Sequence, residues 1–270
     1  MKGRVLIIAG SDSGGGAGIQ ADIKAVTALD GFAMTAITAL TAQNTLGVQG
    51  VVGVEPGFVA QQMEMVLSDL GADTLKTGML ASPDIIVTVA ETIARLAPER
   101  PLVVDPVMVA KGGHRLLQEA AERTLVAQLL PLATVVTPNV PEAEMLVGFP
   151  IRSEDDMRSA GAALLAMGPR AALMKGGHLD EGGSEVVDLL VTSQGVQRFA
   201  HRRIATRHTH GTGCTLASAI ACGLAQGMAL ADAVARARDY VRRAIETAPG
   251  FGAGHGPLNH AVTLDPQWRR

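Results

Sequence analysis

The sequence predicts an α/β domain with a mostly parallel sheet, helices on both of its faces, and an antiparallel hairpin at one edge. Three observations lead there. Short apolar runs of strand length, such as residues 5–9, 102–105 and 171–174, alternate with longer stretches of helical spacing. Several of these runs end at a glycine or a lone polar residue, among them Gly10, Asp105 and Lys175. Residues 186–191 and 196–199 flank Thr192-Ser193-Gln194-Gly195, a hairpin signal. The 270 residues are 47% hydrophobic, enough for a sizeable core, and residues 1–270 are read as a single domain.

The elements follow in order. Residues 5–9 form a candidate central strand, followed by the loop Gly10-Ser11-Asp12-Ser13-Gly14-Gly15-Gly16-Ala17-Gly18. Ile19, Ile23, Val26 and Leu29 space a helix over 19–29. Strand, glycine loop and helix invite a dinucleotide-binding reading. Gly14 and Gly16 would then need a small residue at Ile19, and the shifted frame Gly16-Ala17-Gly18 with Ala21 runs into the helix. That reading stays open as an alternative. Residues 32–40 favour a strand, and Thr41-Ala42-Gln43-Asn44-Thr45 reads as a polar loop. A short strand covers 51–54, and Pro56 starts a helix that runs to Leu70.

Residues 74–80 read as a strand running into a turn. Ser82, Pro83 and Asp84 supply an N-cap, a first-turn proline and a favourable acid for a helix to Leu96. Residues 102–105 are a buried strand with a carboxylate at its end; 106–113 are an irregular loop, 116–130 a helix and 133–136 a strand. Asn139-Val140-Pro141-Glu142 begins the next helix, and Ser153 caps another over 153–167. Residues 171–174 form a strand that ends at Lys175-Gly176-Gly177-His178. Beyond the hairpin, His210-Gly211-Thr212-Gly213-Cys214 is a glycine turn opening a helix over 212–225, and a last helix spans 231–247.

Composition excludes several classes. A net charge of -3 gives no basic footprint for nucleic acid, and 3% aromatic residues leave little for a base-stacking platform. Cys214 and Cys222 lie eight apart on one predicted helix, too far apart to bridge, which fits a reducing cytoplasm. Met1-Lys2-Gly3-Arg4 and the apolar run after it look superficially like a signal peptide, but that run is short and reads better as a buried strand. No apolar run reaches the length of a membrane span.

In such sheets ligands bind beyond the carboxyl ends of the strands. Gly10, Gln43, Gly78, Asp105, Asn139 and Lys175 all fall at or just past such ends. Each has an ordinary reading on its own: a turn cap, a helix start, a solvated lysine. Together they supply what phosphoryl transfer from a nucleotide–magnesium complex needs. Hard carboxylate oxygens suit magnesium, lysine neutralises phosphate, and a helix N-terminus cradles anions. Cys214 sits in the first turn of its helix, where a thiol pKa is expected to fall.

At full length the chain resembles the hydroxymethylpyrimidine/phosphomethylpyrimidine kinases of thiamine biosynthesis, within the ribokinase-like superfamily. The resemblance rests on Ala9-Gly10-Ser11-Asp12 with residues 15–22, on residues 38–45, and on Lys76-Thr77-Gly78-Met79-Leu80. It continues through Asp105-Pro106-Val107-Met108, Thr137-Pro138-Asn139 with Glu142, Lys175-Gly176-Gly177-His178, residues 210–215 and residues 254–260. It implies a ribokinase-like three-layer α/β/α fold. It also implies that Cys214 stands at the catalytic base position, with the Gly211-Thr212-Gly213-Cys214 backbone as anion hole. Asn139, Glu142 and Asp105 would organise Mg2+ and the ATP side, and Lys175 would meet the phosphates. Gln43 would hold the pyrimidine, with Gly10, Ala17, Met79 and Val107 as walls and Asp22 as a further substrate residue. A carboxamide is the complement of an aminopyrimidine edge. His210 would brace the turn.

The chain departs from the family pattern at Gly14 and Gly112, where polar residues are usual, and both changes loosen their loops. Family precedent implies a homodimer. Three rivals stay open: a pyridoxal kinase of the same superfamily, a non-catalytic sensor of thiamine precursors, and the dinucleotide-dependent oxidoreductase.

Overall fold

The computed structural model describes residues 1–108, 119–179 and 183–264. Among them, nine strands form one sheet in the order β3-β2-β1-β4-β5-β6-β7-β8-β9. The strands are β1 (Arg4–Asp12), β2 (Phe32–Asn44), β3 (Gly47–Gly53), β4 (Thr74–Thr77), β5 (Leu102–Val104), β6 (Val135–Val136), β7 (Ala171–Lys175), β8 (Glu185–Thr192) and β9 (Gly195–Arg202). Pairing is parallel from β2 through β7 and antiparallel for β2–β3, β7–β8 and β8–β9.

The helices are α1 (Gly18–Ala28), α2 (Pro56–Asp69), α3 (Pro83–Leu96), α4 (Glu119–Thr124), α5 (Val140–Val147), α6 (Glu154–Leu165), α7 (Thr212–Ala225) and α8 (Leu230–Glu246). Side chains alternate across a strand, so β1 feeds two cores. Leu6 and Ile8 pack with residues of α2 to α6, whereas Val5, Ile7 and Ala9 pack with α1, α7 and α8. This is the expected three-layer α/β/α arrangement. Ser82 and Ser153 cap α3 and α6 by accepting Ile85 N–H and Asp156 N–H, as their positions predict.

Three sequence expectations change. The stretch 41–45 is strand as far as Asn44, because β2 outruns the sheet and pairs with β3. Antiparallel strands therefore occupy both edges, not one. The helix expected over 116–130 is α4 followed by a π turn at Leu125–Leu129 and a 3-10 turn at Leu130–Leu132. Pro131 has no N–H for a helical bond, so the helix ends there in a tightened turn. Residues 116–118, the loop 109–113 and Gly112 lie outside the described residues. Among the described residues no helix is long and apolar enough to cross a membrane.

Candidate active site

The carboxyl ends of β1, β4, β5 and β7 open on a cleft of about 930 Å³. Its walls include Gly10, Ala17, Gln43, Met79 and Val107 on one side. Asp105, Asn139, Glu142 and Lys175 meet Gly211, Thr212, Gly213 and Cys214 across it. The structure thus brings together every sequence-predicted site residue except Asp22.

The turn before α7 is built from glycine contacts. Gly211 is the N-cap, with φ at +82°. A Cβ there would lie 1.8 Å from Gly16 O, so the two glycine loops meet backbone to backbone. Thr212 N–H reaches Thr209 O at 3.4 Å, and the helix dipole adds positive potential at the cleft. A Cβ on Gly213 would lie 3.2 Å from Lys175 Nζ and 3.6 Å from Asp105 Oδ2. A phosphate held against this turn therefore also meets the lysine.

Lys175 is placed by its neighbours. Gly176 N–H donates to Asp188 Oδ1 at 2.9 Å, and Arg238 Nε donates to Asp188 Oδ2 at 2.7 Å. The ammonium lies 3.1 Å from Asp105 Oδ1 and 3.9 Å from Glu142 Oε2. Burial pulls the Lys175 pKa down, but the charges of Asp105 and Glu142 more than offset it and leave the lysine firmly protonated. Asn139 and Glu142 form a capping box on α5. Asn139 Oδ1 accepts Glu142 N–H at 2.9 Å, and Glu142 Oε2 accepts Asn139 N–H at 2.8 Å. Asn139 and Glu142 thus start α5 as a helix cap does, and both also line the cleft. Burial pushes the Glu142 carboxyl up to about 7, despite the charge of Lys175 and with Asp105 adding repulsion. Two buried carboxylates share one ammonium, a donor set short of positive charge. That suits a magnesium ion that keeps several of its waters. No compact group of three metal-binding side chains occurs among the described residues.

The opposite wall is shaped by β1 and β2. A Cβ on Gly10 would come 2.5 Å from Met79 Cε, so the glycine makes room for the methionine. Thr38 Oγ1 and Gly10 N–H both donate to Met79 O, at 2.6 Å and 3.1 Å. Asp12 organises the glycine loop. Its carboxylate accepts N–H groups of Gly14, Gly16 and Ala17 at 2.8, 3.1 and 2.8 Å. His210 Nε2 is 2.8 Å from Asp12 Oδ2. Burial alone would raise the Asp12 pKa, but His210 and the backbone donors hold it below the ordinary value. His210 thus braces the turn, and Asp12, which sequence reading left without a role, is its anchor.

Two expectations are corrected. Asp22 does not face the cleft. It is fully buried, 2.9 Å from Lys76 Nζ, and accepts Ser218 Oγ–H at 2.7 Å. Its oxygens are taken up inside the protein rather than offered to a substrate. The Cys214 thiol is not lowered; burial pushes it up to about 12, against the charge of Lys76 and with Asp22 and Asp105 adding repulsion. Lys76, wholly buried yet reaching the floor of the cleft, was missed. Its one signal was a lysine inside the short strand Thr74–Thr77.

The chain matches the family model described as phosphomethylpyrimidine kinase over residues 12–259. It is 48% identical over 260 residues to a hydroxymethylpyrimidine/phosphomethylpyrimidine kinase of Streptomyces coelicolor, covering 96% of this chain and 95% of that protein. It is 52% identical over 264 residues to the thiamine biosynthesis bifunctional protein ThiED of Geobacter sulfurreducens. That match covers 98% of this chain but 53% of the relative, so the chain spans about half of that longer protein. Among solved structures it is similar to a pyridoxal kinase from Staphylococcus aureus in complex with AMP-PCP and pyridoxal. The TM-score is 0.88 at 33% identity, covering 97% of this chain and 94% of that one.

Proposed function

Because the chain belongs to the phosphomethylpyrimidine kinase family, we infer that it moves the γ-phosphoryl group of ATP to 4-amino-5-hydroxymethyl-2-methylpyrimidine. It then moves a second one to the resulting monophosphate, giving the pyrophosphate used in thiamine biosynthesis. In the first step the hydroxymethyl oxygen attacks phosphorus, the bond to the β,γ-bridging oxygen breaks, ADP leaves, and the hydroxyl proton passes to a phosphoryl oxygen and on to water. In the second step a phosphate oxygen of the monophosphate is the nucleophile. The observation that carries this reading is Lys175, bound to Asp105 at 3.1 Å and set against the Gly213 turn of α7.

Each group has a task in that reading. The first turn of α7 and Lys175 hold the γ-phosphoryl oxygens, where charge spreads in a loose transition state. Asp105 and Glu142 would hold magnesium, which when bound neutralises and orients the donor phosphates. Gln43 reads the ring edge, while Gly10, Ala17, Met79 and Val107 enclose it, and Met79 sulfur suits a flat ring. Cys214 stands beside the acceptor. A thiol near pKa 12 stays protonated at neutral pH, so the backbone cradle rather than the thiolate carries most of the first step. The second acceptor is already an anion and needs no base.

The β2–β3 edge leaves Leu40, Leu46 and Val52 exposed, and α2 leaves Phe58 and Met65 exposed. An edge with these apolar side chains is suited to pairing with a second copy, which supports a homodimer; light scattering on the purified protein measures it. Cys214 and Cys222 are both free thiols, which accords with a reducing cytoplasm.

The test is a mass-spectrometric count of phosphates added to the pyrimidine by the purified protein with ATP and magnesium. One phosphate followed by a second is the expected result. No transfer to the pyrimidine would overturn the reading, and arrest after one phosphate would remove the second step.

A further inference from the structure

We propose that the Asp12–His210 pair fixes which way round the Gln43 carboxamide lies. Through Gln43 it selects a ring with an amino group beside the hydroxymethyl over one with a carbonyl there. The proposal rests on the reading of Gln43 as the residue that meets the pyrimidine.

The hydrogen-bond inventory decides the orientation. Asp12 is 3% exposed and takes three backbone N–H groups, so it is a carboxylate with no proton to give. Its 2.8 Å contact with His210 Nε2 therefore puts the proton on that nitrogen. Nε2 then has no lone pair left for a second donor. Yet the Gln43 amide nitrogen lies 3.4 Å from it, with donor facing donor. The other end of the amide has the same conflict. Thr41 Oγ1 has one proton and lies 2.9 Å from Ser11 O and 3.1 Å from Gln43 Oε1. Once that proton goes to the nearer Ser11 carbonyl, two oxygens face each other without a hydrogen between them.

One half-turn of the amide resolves both conflicts, and the two ends of a carboxamide are told apart only by such a network. The Gln43 carbonyl then turns to His210 and shares its N–H with Asp12, while the amide NH2 donates to Thr41. A neutral His210 with its proton elsewhere would favour the opposite setting, but Asp12 forbids that tautomer. Asp12 and His210 are thus positioning residues. They act through Gln43, 198 and 167 residues apart in the pairs they form.

The fixed setting has a direction. His210 directly precedes Gly211, the N-cap of α7, so the carbonyl of Gln43 lies on the side of the Cys214 turn. A ring whose hydroxymethyl points to that turn brings its neighbouring substituent to the carbonyl. In the aminopyrimidine that substituent is an amino group, a donor, and the adjoining ring nitrogen is an acceptor for the amide NH2. Pyridoxal carries an aldehyde there instead, which sets oxygen against oxygen. The 4-oxo analogue of the pyrimidine reverses the pair altogether, with an acceptor at C4 and N3–H as donor.

The experiment compares kcat/KM for the 4-amino substrate, its 4-oxo analogue and pyridoxal in wild type, His210→Leu, His210→Gln, Asp12→Asn and Gln43→Ala. The wild type is expected to prefer the amino ring. His210→Leu lowers the amino-to-oxo ratio by about tenfold or more, the scale of one buried hydrogen bond, beyond any loss common to both rings. His210→Gln keeps an N–H donor and restores most of the ratio, whereas Asp12→Asn frees the tautomer and lowers it. Equal losses on both rings in His210→Leu and Asp12→Asn, with the ratio intact, would reduce the pair to a structural brace and overturn the proposal. A ratio retained in Gln43→Ala would instead remove Gln43 from the ring and take the proposal with it.

Discussion

Lys76 Nζ lies 2.9 Å from Asp22 Oδ2, and neither side chain is exposed to any measurable degree. Lys76 projects from β4 and Asp22 from α1, and Ser218 of α7 adds the third member. The pair stitches the sheet to the layer that carries the phosphate turn. Breaking a buried pair leaves an uncompensated charge, whereas replacing both members with apolar groups is often close to neutral. Lys76→Met should therefore cost roughly 3–5 kcal/mol in chemical denaturation. Adding Asp22→Leu should recover part of the loss, short of all of it because Ser218 then lacks its acceptor. A double variant no more stable than the single one would show that packing, not charge, is what Lys76 supplies.

Gly213 allows stability and turnover to be separated. Its backbone is helical without a positive φ, so alanine there should gain up to about 1 kcal/mol of helix stability. The added Cβ lies 3.2 Å from Lys175 Nζ, so the ammonium must give by a few tenths of an ångström where it faces the turn. Gly213→Ala is expected to melt no lower than wild type while kcat falls by about tenfold or more. Cys214→Ala should lose less than about tenfold on the hydroxymethyl substrate, short of the roughly 10²–10⁴ of a lost general base. On the monophosphate it should lose almost nothing. A large, equal loss on both acceptors would return the thiol to the centre of the chemistry.

Glu142→Gln keeps the shape of the α5 cap and removes one of two carboxylates around Lys175. The magnesium concentration at half-maximal rate should rise and kcat should drop, while pyrimidine binding measured without nucleotide stays as in wild type. A magnesium curve that overlays that of wild type would leave Glu142 as a helix cap alone.

His260 gives a pH test away from the chemistry. Its Nε2 meets Thr215 Oγ1 at 3.0 Å, and Tyr240 OH donates to its carbonyl at 2.9 Å. Burial pushes the imidazole down to about 4, with Lys24 adding a little. The unfolded chain therefore binds the proton first. The stability is complete above the ordinary histidine value near 6.5 and is lost as pH falls from there through about 4, with stability rising with pH in that window. The full loss should be on the order of 3 kcal/mol. His260→Gln should flatten this part of the curve, as read from urea midpoints at several pH values.

What the sequence made legible was mainly local. Ser82, Ser153 and the Asn139–Glu142 box announce helix starts because a cap and its partner lie three residues apart. The 186–199 hairpin is local in the same sense. Gln43 was harder, since its polar, half-exposed surroundings hide a strand that pairs with a glycine-rich neighbour across a register shift. Asp22 misled because its true partners, Lys76 and Ser218, are 54 and 196 residues away. Cys214 misled because a helix N-terminus is visible in sequence, whereas the carboxylates of Asp22 and Asp105 that fold in near it are not.

The contact of Gly211 with Gly16 also bears on how the protein is made. The first glycine loop leaves the ribosome long before the turn it must touch, and so do Val5, Ile7 and Ala9, whose cover is α7 and α8. A nascent chain can complete the layer of α2 to α6 while the opposite face of β1 still meets water. The cleft thus cannot close until α7 is made, and a chain arrested before residue 210 would present an apolar sheet face to chaperones. Such an arrested chain should bind a hydrophobic dye strongly and be cut readily by protease, where the full-length protein does neither.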